Sequence, residues 1–162
     1  MKTIKRRRQE NKTNYLTRIK LLKGNSPRIV FRKTNKYVIA QYVVSKQAQD
    51  KAEIGITSKK LLNYGWPKEY SGSLKSLTAS YFTGLLFGKI ILSKKLKTPI
   101  LDFGMIQKVH KTKIYAFLKG LIDAGLKMKN KKDIFPEEDR IKGKHMKNKI
   151  PFEQIKSKIE KQ

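Results

Sequence analysis

Cationic side chains with interleaved aromatic rings are the densest chemistry in this sequence. Lys5-Arg6-Arg7-Arg8, Lys12, Tyr15 and Arg18 form one patch; Arg28, Arg32, Lys33, Asn35 and Lys36 form a second. Arginine makes two-pronged contacts to phosphate and stacks on bases. Tyr15 and Tyr37 supply rings on which an unpaired base can stack. Together these groups fit a polyanion, and a nucleic acid best.

Other chemistries find less support. The two histidines, His110 and His145, stand in no serine or acid arrangement, so they read as loop residues rather than bases of a catalytic triad. With no cysteine, disulfides and thiolate catalysis are excluded, and two separated histidines are too few ligands to favour a structural zinc site. Glu137, Glu138 and Asp139 are consecutive. Their side chains diverge, which suits a solvated or helix-capping turn better than a metal site. Gly84 to Lys89 resembles a phosphate-binding loop, but Ile90 stands where Ser or Thr is needed. Asp102, at the end of an apolar run, is the most suggestive acid. A two-metal nuclease would need further carboxylates converging on it, and Asp123 sits among apolar neighbours. A hydrogen bond to loop N–H groups is the better reading of Asp102, and a metal-dependent nuclease is the alternative.

Charge decides between partner and tag. The chain has 162 residues, 39 Lys+Arg and 12 Asp+Glu, a net charge of +27. That surplus opposes compaction and drives association with polyanions. It is concentrated at the start: residues 1–36 carry 13 basic residues and one acid, Glu10. No apolar run approaches the roughly 18–20 residues that span a bilayer. The helix pattern at 13–23 is too short and narrow for membrane-surface binding. An intracellular, soluble, polyanion-binding domain is the class that remains.

The elements that must position these groups follow from periodicity. Residues 1–12 are too charged to pack alone. Thr13 is placed to cap a helix bearing Tyr15, Leu16, Ile19 and Leu22 on its buried face and ending at Gly24. RIVFRKT and KYVIAQYVV read as a hairpin with a tight turn at Thr34-Asn35-Lys36, where Asn tolerates positive φ. Ile29 and Phe31 face inward, and Arg28, Val30 and Arg32 outward. AEIGITS is a third strand, and Ser58 caps a short helix closed by Gly65. The longest helix runs from Leu74 to about Lys95, with Gly84 and Gly88 allowing close approach of a neighbour. ILDFGM after Pro99 fits an interior strand covered on both faces. Residues 106–112 form a loop, and Thr112 caps a helix ending near Gly125. Lys127 to Lys132 is a charged linker, FPEEDRIKGKH is a loop, and Pro151 opens a thin helix that orders on something else. The fold class is α/β, a mixed sheet with helical cover. The divisions are a basic N-terminal extension (1–24), an α/β RNA-binding domain (25–127) and a charged C-terminal extension (128–162).

Seven ordered stretches carry a resemblance: RRRQENKTNY with RIKLL, PRIVFRKTNKYVIAQ, YGW, LTASYFTGLLFGK, ILDFG, AFLKGLIDAGL and IFPEEDRIKGKH. Over about residues 5–146 the chain resembles the archaeal/eukaryotic type of the large-subunit ribosomal protein L-eighteen family, which binds 5S ribosomal RNA. The resemblance implies a ribonuclease-H-like topology without enzymatic activity, no cofactor or metal, and no homo-oligomer. It implies a place in the large subunit of the cytoplasmic ribosome, at the central protuberance. The implied partners are 5S rRNA, 23S rRNA and the neighbouring protein of the 5S particle. Carried over by position, the implied RNA contacts are Arg6, Arg7, Arg8, Lys12, Thr13, Tyr15, Arg18, Arg28, Arg32, Lys33, Asn35 and Lys36. Two departures stand out. Asn11 replaces a usual glycine, and the loop MIQKVHKTK lacks the family's Arg-Pro and Gly.

Overall fold

The computed structural model describes residues 3–128, 134–146 and 150–161. Most of the expected linker, residues 129–132, lies outside them. The short helix α1 spans Arg6–Gln9 and α2 spans Tyr15–Lys23. Strands β1 (Arg28–Lys33), β2 (Val38–Lys46) and β3 (Gln49–Thr57) follow as an antiparallel meander. Two 3-10 helices, Ser58–Tyr64 and Lys68–Ser73, lead to α3 (Leu77–Ser93). Then come β4 (Ile100–Asp102), α4 (Lys113–Asp123), α5 (Glu138–Ile141) and α6 (Phe152–Glu160). The strand order is β3-β2-β1-β4, with β4 parallel to β1.

The alternation expected for β1 sets the layers. Ile29 and Phe31 are fully buried, and Phe31 stands opposite Ala40 of β2. With Val38, Tyr42 and Ile56 they form the sheet side of the core, and α3 and α4 cover it. The two helices meet where side chains are smallest. A Cβ on Gly84 would lie 2.2 Å from the Phe117 carbonyl oxygen, and one on Gly120 would lie 2.2 Å from that of Tyr81. No helix among the described residues is long and apolar enough to cross a membrane.

Several expectations are corrected. The hairpin turn 34–37 is closed by the Thr34 hydroxyl and amide, both donating to the Tyr37 carbonyl, and Asn35 does not take positive φ. The left-handed turn lies instead between β2 and β3, at Gln47 (φ 48°) and Ala48 (φ 64°). The helix expected after Ser58 is a 3-10 helix, and the Ser58 hydroxyl accepts from the Val38 amide rather than capping it. Strand β4 is an edge strand, not an interior one. Its apolar run has a different cause: Leu101 and Phe103 pack on the core while Ile100 stays exposed. The Phe103 ring meets Phe31 edge-on at 6.1 Å.

Side chains after residue 134, those of Ile141, Ile150, Ile155 and Ile159, are also part of the core. Helix α5 forms where a loop was expected, and the Thr78 hydroxyl of α3 donates to the Ile141 carbonyl. In α6 the side chains of Ile155 and Ile159 are fully buried, and Phe152 sits against Phe82 with ring centroids 4.7 Å apart. The thin stripe has its partner within this chain. Ile159→Ala is therefore expected to cost about 2–5 kcal/mol, the usual range for emptying a core isoleucine. Urea denaturation measures this; a change below about 0.5 kcal/mol, normal for a surface site, would restore the reading of a tail.

Candidate nucleic-acid interface

The sheet face turned away from α3 and α4 carries Arg28, Val30 and Arg32 of β1, Gln41 and Val43 of β2, and Asp102 of β4. The N-terminal segment lies over it. Between them is a cavity of about 370 Å³ whose cations are Arg7, Lys12, Arg18, Arg28 and Arg32.

Asp50 holds the lid to the floor. Its Oδ2 accepts from Arg18 at 2.8 Å, and its Oδ1 accepts from Arg28 and from the Ser45 hydroxyl, both at 2.7 Å. Arg18 also donates to the Ala48 carbonyl at 3.3 Å, which ties α2 to the left-handed β2–β3 turn. Burial raises the Asp50 pKa, but the hydrogen bonds from Ser45 and Arg18 and the charges of Arg28 and Arg18 together hold it below the usual value. This contribution to stability is complete above the carboxylate's unfolded pKa and is lost as pH falls through the lower folded value. Asp50→Ala leaves Arg28, which is only 3% exposed, with the Ser45 hydroxyl at 2.9 Å but no carboxylate, and its Nε has no partner among the described residues. A loss of about 1–3 kcal/mol at neutral pH is expected, shrinking toward zero in acid. Denaturation midpoints across pH check it, and an unchanged gap below pH 3 would contradict the assignment.

Arg32 is fixed at the other edge. It donates to the Phe31 and Asp102 carbonyls at 2.8 and 3.1 Å and lies 3.4 Å from Asp102 Oδ2. Gly104, at φ 61°, closes over it; a Cβ there would be 3.0 Å from Arg32 Cζ. Asp102 Oδ1 accepts from the Gly104 amide at 2.8 Å. The suggestive acid is thus engaged by an arginine and by a loop N–H. Among the described residues no three His, Cys, Asp or Glu side chains cluster to hold a metal.

The N-terminal cations are partly ordered before any ligand arrives. Arg6 donates to Glu10 at 2.8 Å, and Lys12 approaches the same carboxylate at 2.7 Å. Arg6 and then Lys12 hold the Glu10 pKa below its usual value. Arg7 donates to the Thr13 hydroxyl at 3.0 Å, and Arg8 to Met105 Sδ. Residues 6–9, expected to be too charged to pack, form a helical turn through these contacts. Asn11 takes φ 53°. Its place in a position usually glycine is explained, since Asn is the side chain that best tolerates the left-handed region.

Two sequence expectations about α2 change. Its cap is Asn14, whose side chain accepts from the Thr17 amide, not Thr13. Its apolar stripe is not buried: Leu16 and Ile19 are 76% and 51% exposed. Tyr15 has Lys5 Nζ 4.8 Å from its ring centroid, so one ring face is already taken.

The structure therefore gathers Arg7, Lys12, Thr13, Arg18, Arg28 and Arg32 around one groove, with Arg6, Arg8 and Tyr15 on the same segment. Arg28 is buried, so it braces the groove rather than presenting a charge. Lys33, Asn35 and Lys36 stand apart, exposed at the end of the hairpin. Asp50, Ser45 and Gln41 were not foreseen; Asp50 had one signal, being one of only four acids (with Glu10, Glu53 and Glu69) in the first half of a basic chain.

The sequence matches the family described as "Ribosomal large subunit proteins 60S L5, and 50S L18" over residues 1–99. This chain belongs to that family. It is 41% identical over 141 residues to "Large ribosomal subunit protein uL18" of Korarchaeum cryptofilum (strain OPF8), covering 87% of this chain and 70% of that protein. The protein of the same name from Methanosphaera stadtmanae is also 41% identical, covering 87% of this chain and 71% of its own length. That from Methanothrix thermoacetophila is 37% identical over 138 residues, covering 85% and 79%. Membership makes the basic groove intelligible, because a ribosomal protein of the large subunit is surrounded by rRNA phosphates.

Proposed function

We propose that this protein is a non-enzymatic structural constituent of the large ribosomal subunit, in the cytoplasm. In this reading it binds 5S rRNA and helps attach it to 23S rRNA in the central protuberance, beside the neighbouring protein of the 5S particle. The observation that carries the reading is the groove: cations from the N-terminal segment and from the sheet converge on one open face, in a chain of this family. Arg6, Arg7, Arg8, Lys12, Thr13, Tyr15, Arg18, Arg32, Lys33, Asn35 and Lys36 meet RNA, and Arg28 holds the floor. Phosphate contacts fix position, and side-chain amide and ring contacts add selectivity.

The strand order, with β4 parallel beside β1, supports the ribonuclease-H-like topology. Asp102, engaged by Arg32 and Gly104, supports the absence of nuclease chemistry. Residues 1–24 act as the RNA-binding extension and 25–127 as the RNA-binding domain. Beyond residue 127, Ile141, Ile150, Ile155 and Ile159 close the core of that domain.

The test is recovery of the tagged protein from its own cells and sequencing of the bound RNA. Enrichment of 5S rRNA over tRNA is the expected result. Large-subunit particles that contain the protein but place it away from 5S rRNA would overturn the reading.

A further inference from the structure

A second cavity, of about 680 Å³, shares no lining residue with the groove. It opens at the carboxyl end of β1, between the loop after β4 and the first turn of α4. Its volume is within the range of about 300–1,000 Å³ typical of small-ligand pockets. Leu77, Ile106, Val109 and Ile114 give it apolar walls, and Val109 is 55% exposed. Its rim carries the cations Lys33, Lys111, Lys113 and Arg140, with His145 beside them.

Most of these charges face no acid among the described residues. Among the described residues, Lys111 alone on this rim has an acid, the exposed Glu137 at 3.5 Å. The neighbouring acids are turned to other lysines: Glu138 to Lys119 and Lys142, Asp139 to Lys144. Burial, and then the like charges of Lys33 and Lys75, hold the Lys113 pKa below its usual value. The Thr112 hydroxyl turns back to the Val109 carbonyl and leaves α4 without a side-chain cap. Its N-terminal dipole thus adds to the positive field of the cations. In the groove, by contrast, Glu10, Asp50 and Asp102 already balance much of the cationic charge.

We propose that this cavity is a second RNA-binding site that seats one unpaired, extruded ribonucleotide of ribosomal RNA. The base lies against Ile106, Val109 and Ile114, and the flanking phosphates meet Lys33, Lys113 and Arg140. The proposal rests on the reading of this chain as an rRNA-binding protein. Apolar walls alone would suit many ligands. Apolar walls beneath a rim whose cations, Lys111 excepted, face no acid among the described residues suit a flat base carried on a phosphate backbone, and single-stranded RNA is read in that way. An acidic protein segment would satisfy the rim but leave a base-sized apolar space to fill.

Ultraviolet crosslinking of the full chain to rRNA, followed by peptide mapping, decides the matter. One arm uses 5S rRNA alone; the other adds 23S rRNA, so the arms tell which molecule supplies the nucleotide. The expected result is a crosslinked nucleotide on the 106–113 segment in one arm. In Lys113→Glu/Arg140→Glu that adduct should fall about tenfold or more while adducts on residues 6–18 persist, because charge at the rim is reversed and neither residue belongs to the groove. Arg140 is exposed and Lys113 half-buried, and circular dichroism checks the fold; if the variant does not fold, the wild-type map decides alone. Absence of the 106–113 adduct in both arms, with normal 5S binding and adducts on 6–18, overturns this inference only. So does an assembled particle in which an acidic protein segment fills the cavity. Loss of 5S binding altogether would instead sink the proposed function.

Discussion

Raising monovalent salt from about 50 to 200 mM is expected to weaken 5S rRNA binding about ten-thousand-fold. With about eight phosphates neutralised, log K falls with log[salt] at a slope of roughly −6 to −7, and a fourfold rise in salt compounds that slope. The count is compatible with the groove: Arg6, Arg7, Arg8, Lys12, Arg18 and Arg32 keep part of their guanidinium or ammonium surface free, and Lys33 and Lys36 add two more. Replacing Arg6, Arg7 and Arg8 together by Ala should flatten the slope by about 2–3, one increment per lost phosphate contact. The fold should survive, because none of the three is buried. Filter binding at several salt concentrations, with a thermal melt of the variant, reads both effects. A wild-type slope shallower than about −2 would mean that phosphate neutralisation is not the driving force. A lost melting transition in the triple variant would mean that these arginines hold the domain together.

The ease with which parts of this fold are read from sequence follows from which interactions are local. The β1–β2 hairpin and α4 announce themselves because their inward and outward residues differ in type along a single element, and α3, buried at every position from Thr78 to Gly88, by its long apolar run. Gly84 and Gly88 are legible as a contact surface for the same reason, since four-residue spacing places them on one helix face. Helix α6 was misread because a short stripe of Phe152, Ile155 and Ile159 says that something covers it but not what. The interior placement of β4 failed for a related reason. An uninterrupted apolar run is equally well explained by an edge strand whose following residues, Phe103 and Ile106, turn back onto the core. In α2 the period was right and the direction was not, because the Arg18–Asp50 pair rather than apolar burial sets its orientation. Arg28 shows the limit most clearly. As a residue type it is indistinguishable from Arg32, yet Asp50, brought near by the β2–β3 turn, makes it part of the floor. The site residues themselves were legible as a composition; their division between groove, brace and hairpin tip is a property of tertiary contacts.

Gly120→Ala is expected to destabilise the protein by about 3 kcal/mol or more, with Gly84→Val failing to fold; overpacking normally costs about 1–3 kcal/mol and exceeds that when backbone must move. The added Cβ at residue 120 would meet the Tyr81 carbonyl oxygen at 2.2 Å and the Leu85 amide nitrogen at 2.8 Å. Both belong to the backbone of α3, so no side chain can rotate away. Relief requires α4 to retreat, and α4 carries Phe117, whose ring lies 4.8 Å from Phe31 of β1. It also carries Asp123, which accepts the hydrogen bond of buried Tyr81 at 2.8 Å. The retreat would therefore open the contact between helices and sheet on which the groove floor rests. Gly72→Ala is the matched control: a Cβ there meets nothing within 4 Å, and the change should be neutral or stabilise by up to about 1 kcal/mol. Urea midpoints of the three variants separate crowding from loss of a glycine as such. A Gly120→Ala midpoint equal to that of Gly72→Ala would show that α3 and α4 do not approach this closely. Their contact would then no longer explain how the sheet is held in place beneath the N-terminal cations.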